Sequence, residues 1–368
     1  MNLKRGSGRC TVLTLLSALW LLVTHGLAGS ELKRDETVVF FPGIGSAEPT
    51  GWQLDIHGWV YESEYHKPIT SLLRRSLGIR DEELTAAELA LFRERAQFFL
   101  VDNERHKTVD VRLGEMAITL SASLPNGHFQ TNLHVVNDDI HRFGLTTLLS
   151  QRVLPIETVR SRRAPTKGNI QLIPPTGISV VSDIDDTIKL TNVKHRQELL
   201  RNTFCRPYQA IPGMASIFDR WAKSDGARFH YASAAPWQLV LPLTDFLRES
   251  AFPAGSMHLK TFRWKDQTFF DLFGSPERYK LSTIEPILKR FPHREFVLVG
   301  DSSEKDPEIY ATLARTYTNQ VTHIFIRNTT GENRDGQRYR SVFEGLSTNS
   351  WQLFNAPSEL PMTLRSGR

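Results

Sequence analysis

The chain has 368 residues, 40% hydrophobic and 23% charged, an ordinary globular composition whose length suits about two to three domains. Its formal net charge of +5 falls to +2 once the basic residues of a leader, Lys4, Arg5 and Arg9, are set aside, so the high pI gives no ground for a nucleic-acid partner. Cys10 leaves with the same leader and Cys205 stands alone, which excludes a scaffold stapled by disulfides.

The leader is residues 1–28. Three basic residues precede an apolar run from Val12 to Val23, and Gly26-Leu27-Ala28 offers a small-x-small cleavage site. That is the pattern of a secretory signal peptide, and the run is shorter than the ~20 apolar residues of a membrane span. The expected destination is the periplasm or outside the cell.

Residues 37–153 have the texture of short strands. Stretches 37–41 and 52–61 are rich in β-branched and aromatic residues, and 108–113, 116–121 and 128–135 follow, the last two joined by a turn at Pro125-Asn126-Gly127. Between the groups, 81–99 reads as a helix with Leu84, Leu91 and Phe98 on one face. The expectation is a β-sandwich-like domain carrying a helical insertion. Residues 154–177 hold Pro155, Pro165, Pro174 and Pro175 among Arg160, Arg162, Arg163 and Lys167, and read as a solvated linker. Such a basic patch also suits a peripheral contact with an anionic membrane surface.

From 178 to about 330 the texture alternates. Apolar runs at 178–182, 228–232, 257–261, 295–300 and 321–326 suit a buried parallel sheet, and helical patterns at 214–223, 237–249, 278–290 and 307–317 separate them. This predicts a doubly wound α/β sheet, with residues 331–368 as an extension packing on it. Chemistry in such sheets sits at the carboxyl ends of the strands.

Those ends carry reactive residues. The first strand runs into Asp183, Asp185 and Thr187, the second into Ser233, and the fourth into Gly300-Asp301 with Asp306 five residues on, while Lys280 opens the helix before it. Alone, each residue has an ordinary explanation as a turn, solvated or capping side chain; their order and placement carry the signal. The chemistry that fits is phosphoryl transfer through an aspartyl-phosphate. Asp183 is the expected nucleophile and Asp185 the general acid and base. Asp183 and Asp301, with the Asp185 backbone carbonyl and Asp306 beside them, are the expected hard-oxygen ligands of Mg²⁺. Thr187, Ser233 and Lys280 are expected to hold the phosphate oxygens.

These four motifs resemble those of the haloacid-dehalogenase superfamily. The wider text is similar to one branch of it, the actin-patch-associated phosphatidate phosphatases related to the lipins. The matching runs are S-D-I-D-D-T-I-K at 182–189, L-L-R-N-T-F at 199–204, I-P-G-M at 211–214, F-H-Y-A-S-A-A-P-W-Q-L at 229–239, V-G-D-S-S-E-K-D-P-E-I-Y at 299–310 and I-F-I-R-N at 324–328. More loosely, G-W-V-Y-E at 58–62 and the helix through Phe92 and Arg95 match as well. Ala235 stands where a second Ser is expected, and Ser303 where a Gly is common. The resemblance implies a Mg²⁺-dependent phosphatase converting phosphatidate, or another phospholipid phosphate, to its dephosphorylated lipid.

Fold resemblance does not fix substrate, so phosphatases of soluble phosphomonoesters and a lipid-binding module with little activity stand as alternatives. Residues 188–211 form a small flap without a bulky cap. Phe262, Trp264, Phe269, Phe270 and Phe273, among Arg263 and Lys265, suit either acyl-chain contact or packing over the sheet edge. No G-x-S-x-G elbow or H-E-x-x-H pattern is present, and read as a calcium loop, 301–312 lacks the sixth-position Gly and twelfth-position Glu. No partner protein is inferred.

Overall fold

Isoleucine, valine and phenylalanine crowd the segments that flank the aspartates, and a strand buried on both faces requires such runs. The structure, a computed structural model, describes residues 29–63, 67–159, 165–260 and 276–365. The first part of the chain runs β1 (Glu36–Phe40), β2 (Gly43–Glu48), β3 (Gly51–Glu62), α1 (Lys67–Ser76), α2 (Ala86–Ala96), β4 (Asp102–Asn103) and β5 (Asp110–Leu113). It continues with β6 (Met116–Thr119), β7 (His128–Val136), α3 (Asn137–Ile140), β8 (Thr146–Leu148), β9 (Gln151–Thr158) and β10 (Lys167–Ile173). The second part runs β11 (Gly177–Ser182), α4 (Arg196–Phe204), α5 (Met214–Ser224), β12 (Arg228–Pro236), α6 (Val240–Glu249), β13 (Gly255–Lys260) and α7 (Pro276–Arg290). It ends with β14 (Arg294–Asp301), α8 (Asp306–Thr316), β15 (Val321–Arg327), α9 (Gln337–Val342) and β16 (Trp351–Phe354).

The second part is α/β. Its six described strands are all parallel, in the order β13-β12-β11-β14-β15-β16. Every strand expected there is found, four of them within two residues at each end, while β12 runs four residues past the expected 232. The C-terminal stretch adds β16 to the sheet edge, and the Trp221 indole donates to the Pro361 carbonyl at 2.8 Å.

The first part is a sheet of ten described strands joined in one hydrogen-bonded network, where a sandwich-like arrangement was expected. The 154–177 stretch is not a linker. β9 and β10 pair antiparallel within it, and β10 then pairs parallel with β2; Pro165, Pro174 and Pro175 flank β10, while Pro155 lies inside β9 between the stretches that pair with β8 and with β5. The Gly127 turn is present with φ +76°, but it delivers β7 to β3 and not back onto β6. The helical insertion is shorter than expected. Thr85 accepts from the Glu88 N–H in a capping box that starts α2. Its buried face is Phe92, Arg95 and Ala96, continued by Phe99, the 3.6-residue stripe, while Leu84, Leu91 and Phe98 are half-buried beside it.

Alternation along β1 and β3 divides their side chains between two cores. Val38, Phe40 and Val60 point into the core of the first sheet. Val39, Phe41, Trp59 and Tyr61 point the other way and join a cluster with Ile178, Val180, Phe204 and Trp237 of the second part. Trp59 and Trp237 meet edge-to-face at 4.4 Å between ring centroids. Among the described residues no helix is long and apolar enough to cross a membrane. The signal-peptide stretch 1–28, Arg160, Arg162 and Arg163, and the aromatic run from Phe262 to Phe273 lie outside the described residues.

Candidate active site

β11 ends at Ser182, and the chain leaves the sheet carrying Asp183, 1% exposed, with its N–H bonded to the Val299 carbonyl of β14 at 2.9 Å. β14 ends at Asp301, and the first residue of α8 is Asp306. The Asp306 carboxylate accepts the Asp301 N–H at 3.2 Å, folding back over Gly300. A Cβ at Gly300 would lie 2.4 Å from Asp306 Oδ2, so this closeness requires glycine. One carboxylate oxygen each of Asp183, Asp301 and Asp306 lie within 4.8 Å of one another, all three residues buried.

Lys280 enters this group from α7. Its Nζ lies 2.9 Å from Asp183 Oδ1, 2.5 Å from Asp306 Oδ1 and 2.9 Å from Glu304 Oε2. Three carboxylates thus share one ammonium, with Asp301 close by. Burial, reinforced by the neighbouring acids, pushes Asp183 well above the usual carboxylate range and Asp301 to about 7. Burial works against the charge of Lys280, but the surrounding carboxylates raise it well above the ordinary lysine value. Asp301 Oδ2 is buried and takes no hydrogen bond. An excess of negative charge, a hard-oxygen donor set and an unsatisfied carboxylate oxygen fit a divalent cation such as Mg²⁺.

Asp185 forms a second cluster. Its Oδ1 accepts from Lys189 Nζ and Thr191 Oγ1, each at 2.8 Å, and its Oδ2 from Ser233 Oγ at 3.0 Å. Burial disfavours its charge, but Lys189 and these hydrogen bonds prevail and hold it below the usual carboxylate value. Its side chain therefore stands apart from the three-carboxylate group. Thr187 donates to Asp183 Oδ2 at 3.1 Å. Ser233 also accepts the Ala235 N–H at 3.0 Å, so the missing second hydroxyl leaves this turn intact. The N–H and the hydroxyl of Ser303 both bind Asp301 Oδ1, and the hydroxyl contact is one a glycine lacks.

The site opens into a crevice of about 400 Å³ with Asp185 in its lining. Val193, Lys194 and Leu199 of the flap form one wall, and the 302–305 turn with Arg338 forms the other. The flap is tied down by Asp186, a non-glycine residue at φ +54° whose carboxylate accepts the N–H groups of Thr191, Asn192 and Val193.

The structure groups Asp183, Thr187, Lys280, Asp301 and Asp306 and sets Asp185 with Ser233 in a second cluster, all of them residues singled out in the sequence reading. That reading gave no role to Lys189, Thr191 and Glu304. Lys189 was legible in principle, being four residues after Asp185 in the same polar run, whereas Thr191 and Glu304 are placed by turn geometry that no spacing rule signals.

Residues 178–328 match the family described as phosphatidate phosphatase APP1, catalytic domain. The phosphatidate phosphatase APP1 of Saccharomyces cerevisiae is 36% identical over 158 residues, 42% of this chain and 26% of that protein. An uncharacterized protein of Schizosaccharomyces pombe is 31% identical over 163 residues, 43% of this chain and 26% of its own length. The chain spans about a quarter of the length of these curated relatives. The match covers the parallel sheet as far as the start of the C-terminal stretch and leaves the first sheet outside it.

Proposed function

We propose that the chain is a Mg²⁺-dependent phosphatase working through an aspartyl-phosphate, with phosphatidate as substrate and diacylglycerol as product. The observation that carries the reading is the placement of Asp183, Asp301, Asp306 and Lys280 around one point at the strand ends, with Asp185 facing the crevice two residues on. Asp183, Asp301 and Asp306, with the Asp185 backbone carbonyl, would hold the cation. Bound there, Mg²⁺ would offset the repulsion between an anionic nucleophile and an anionic phosphate.

In the first half-reaction an Asp183 carboxylate oxygen bonds to phosphorus, and the bond to the lipid alkoxide breaks. The alkoxide takes a proton from Asp185. An approaching phosphate dianion supplies like charge that raises the proton affinity of Asp185, offsetting the hold of Lys189. In the second half-reaction Asp185 takes a proton from water, whose oxygen attacks phosphorus and releases inorganic phosphate from Asp183. Lys280, Thr187 and Ser233 are the donors within reach of the phosphate oxygens.

The same proposal extends to the finer readings of the sequence. We read the parallel sheet as haloacid-dehalogenase-like and residues 1–28 as a signal peptide for export. The substrate would be met at a membrane surface.

The deciding experiment is a phosphate-release panel. Phosphatidate in mixed micelles is compared with soluble sugar and nucleoside phosphates, with EDTA and with added Mg²⁺. Mg²⁺-dependent release from phosphatidate is expected. Release in metal-free buffer contradicts the mechanism, release from soluble esters alone moves the substrate class, and no release from any points to a lipid-binding module.

A further inference from the structure

We propose that Arg95, Tyr208 and Lys189 form a positioning relay through which helix α2, outside the family match, fixes the Asp185 carboxylate at the crevice. The relay rests on the phosphatase reading above.

Arg95 is 5% exposed, on the buried stripe of α2. Its Nη1 donates to the carbonyls of Thr203 and Arg206, each at 2.8 Å, where α4 of the flap runs out of helical partners. Its guanidinium carbon lies 3.8 Å from the centroid of the Tyr208 ring. The Tyr208 hydroxyl donates to the same Thr203 carbonyl at 3.1 Å, so the ring is held at two points. Lys189 Nζ lies 4.9 Å from that ring centroid and 2.8 Å from Asp185 Oδ1. Two cations thus share one aromatic ring, and the second reaches the proposed acid.

The surroundings favour this arrangement over a free surface contact. Phe92 and Phe99 meet Phe204 at 6.0 and 5.6 Å between centroids, Glu88 pairs with Arg206 at 3.6 Å, and Glu83 with Arg201 at 2.6 Å. At the base of the flap, the N–H of Ile211 bonds to the Ile188 carbonyl at 2.9 Å and that of Leu190 to the Gln209 carbonyl at 2.8 Å. Lys189, bridged to Ala210, and Tyr208 therefore stand on adjoining stretches of one narrow loop, whose outer helix is clamped by α2. A displacement of α4 would travel through Tyr208 to Lys189 before reaching Asp185.

A flap stapled only for stability would lose activity on all substrates together. A relay that orients the acid acts mainly where leaving-group protonation matters. The test uses the full-length chain with Arg95→Met, Tyr208→Leu and the ring-conserving Tyr208→Phe. Single-turnover rates are measured on nitrophenyl phosphate and on an alkyl phosphate of similar size. The Arg95→Met and Tyr208→Leu variants are expected to lose roughly 10- to 100-fold on the alkyl ester, since misplacing a catalytic group by about 1 Å costs on that order, and under about threefold on the nitrophenyl ester. Tyr208→Phe should stay within about twofold on both, keeping the ring between the cations.

A second readout needs neither metal nor turnover. Lys189 is 2% exposed, and native-state acetylation read by mass spectrometry should leave it unmodified in the parent chain and Tyr208→Phe. It should label in Arg95→Met and Tyr208→Leu at temperatures well below their melting points. Equal losses on both esters, or Lys189 still protected in both disruptive variants, would overturn the relay. A parent chain that hydrolyses neither ester sinks the phosphatase reading first and the relay with it.

Discussion

Lys280 Nζ sits 2.9 Å from the Asp183 carboxylate and 2.5 Å from that of Asp306, fully buried and paired with both. Lys280→Met leaves those acids without their ammonium. The variant should lose phosphate release and about 3–5 kcal/mol of stability, the usual cost of breaking a buried ion pair. Added Mg²⁺ should raise its melting temperature by more than it raises that of the parent, because the cation becomes the remaining compensation. A melting curve with and without EDTA checks both. Equal Mg²⁺ shifts in the two proteins would contradict the shared site.

The two aspartates differ in their surroundings and should differ on mutation. Asp183→Asn should form no phosphoenzyme from any substrate. Asp185→Asn should still be phosphorylated by nitrophenyl phosphate, while turnover of alkyl phosphates falls by a factor on the order of 10² to 10⁴. Acid-quench trapping of phosphoprotein separates the two. Trapped phosphoprotein in Asp183→Asn would remove the nucleophile assigned here.

Gly300 lets the Asp306 carboxylate fold over the end of β14, where a Cβ would meet Asp306 Oδ2 at 2.4 Å and Asp306 Cβ at 2.7 Å. Gly300→Ala should displace Asp306 from the Asp301 N–H and from Lys280. A loss on the order of 10²-fold in rate is expected, with more Mg²⁺ needed for half-maximal activity. A Mg²⁺ titration of the initial rate reads both.

His57 and His128 face each other at 2.8 Å in a cavity of about 430 Å³ between the sheets, beside Trp237. Burial pushes His57 down to about 4; burial and then His57 push His128 to about 3. The unfolded chain takes up these protons below pH 6.5, where the folded chain does not, so stability falls as pH drops from there. Each histidine should remove about 1.4 kcal/mol per pH unit until its folded value is reached, and neither matters above pH 6.5. Urea unfolding at pH 7 and pH 5 should show the loss, and His128→Gln should reduce it by about 2 kcal/mol. An unchanged difference in that variant would contradict the burial argument.

The parallel-sheet half was legible because its strands are buried on both faces and therefore read as uninterrupted apolar runs, and because their carboxyl ends carry the acids. Residues 178–182 and 295–300 needed nothing else. The N-terminal half was harder. β9 and β10 carry Pro155, Gly168 and Lys167, which read as linker when the parallel partner β2 is unknown. The stripe of α2 was misplaced because a spacing of seven picked Leu84, Leu91 and Phe98, while the buried stripe includes the charged Arg95. The side chains that orient Asp185 were missed for the same reason: Lys189 and Thr191 are polar residues whose burial comes from the flap folding over them.

β1 and β3 spend alternate side chains on two different interiors, and this limits how the chain can be cut. A fragment starting at Ile178 would expose the ground on which Phe41, Trp59 and Tyr61 rest, leaving Trp237 and Phe204 facing solvent on that side. Such a fragment carries every proposed catalytic carboxylate, yet it would present a contiguous greasy patch prone to self-association. The two halves are best exchanged, labelled or crystallised as one body, and any graft of a different N-terminal sheet must supply aromatic residues at the positions of Trp59 and Phe41.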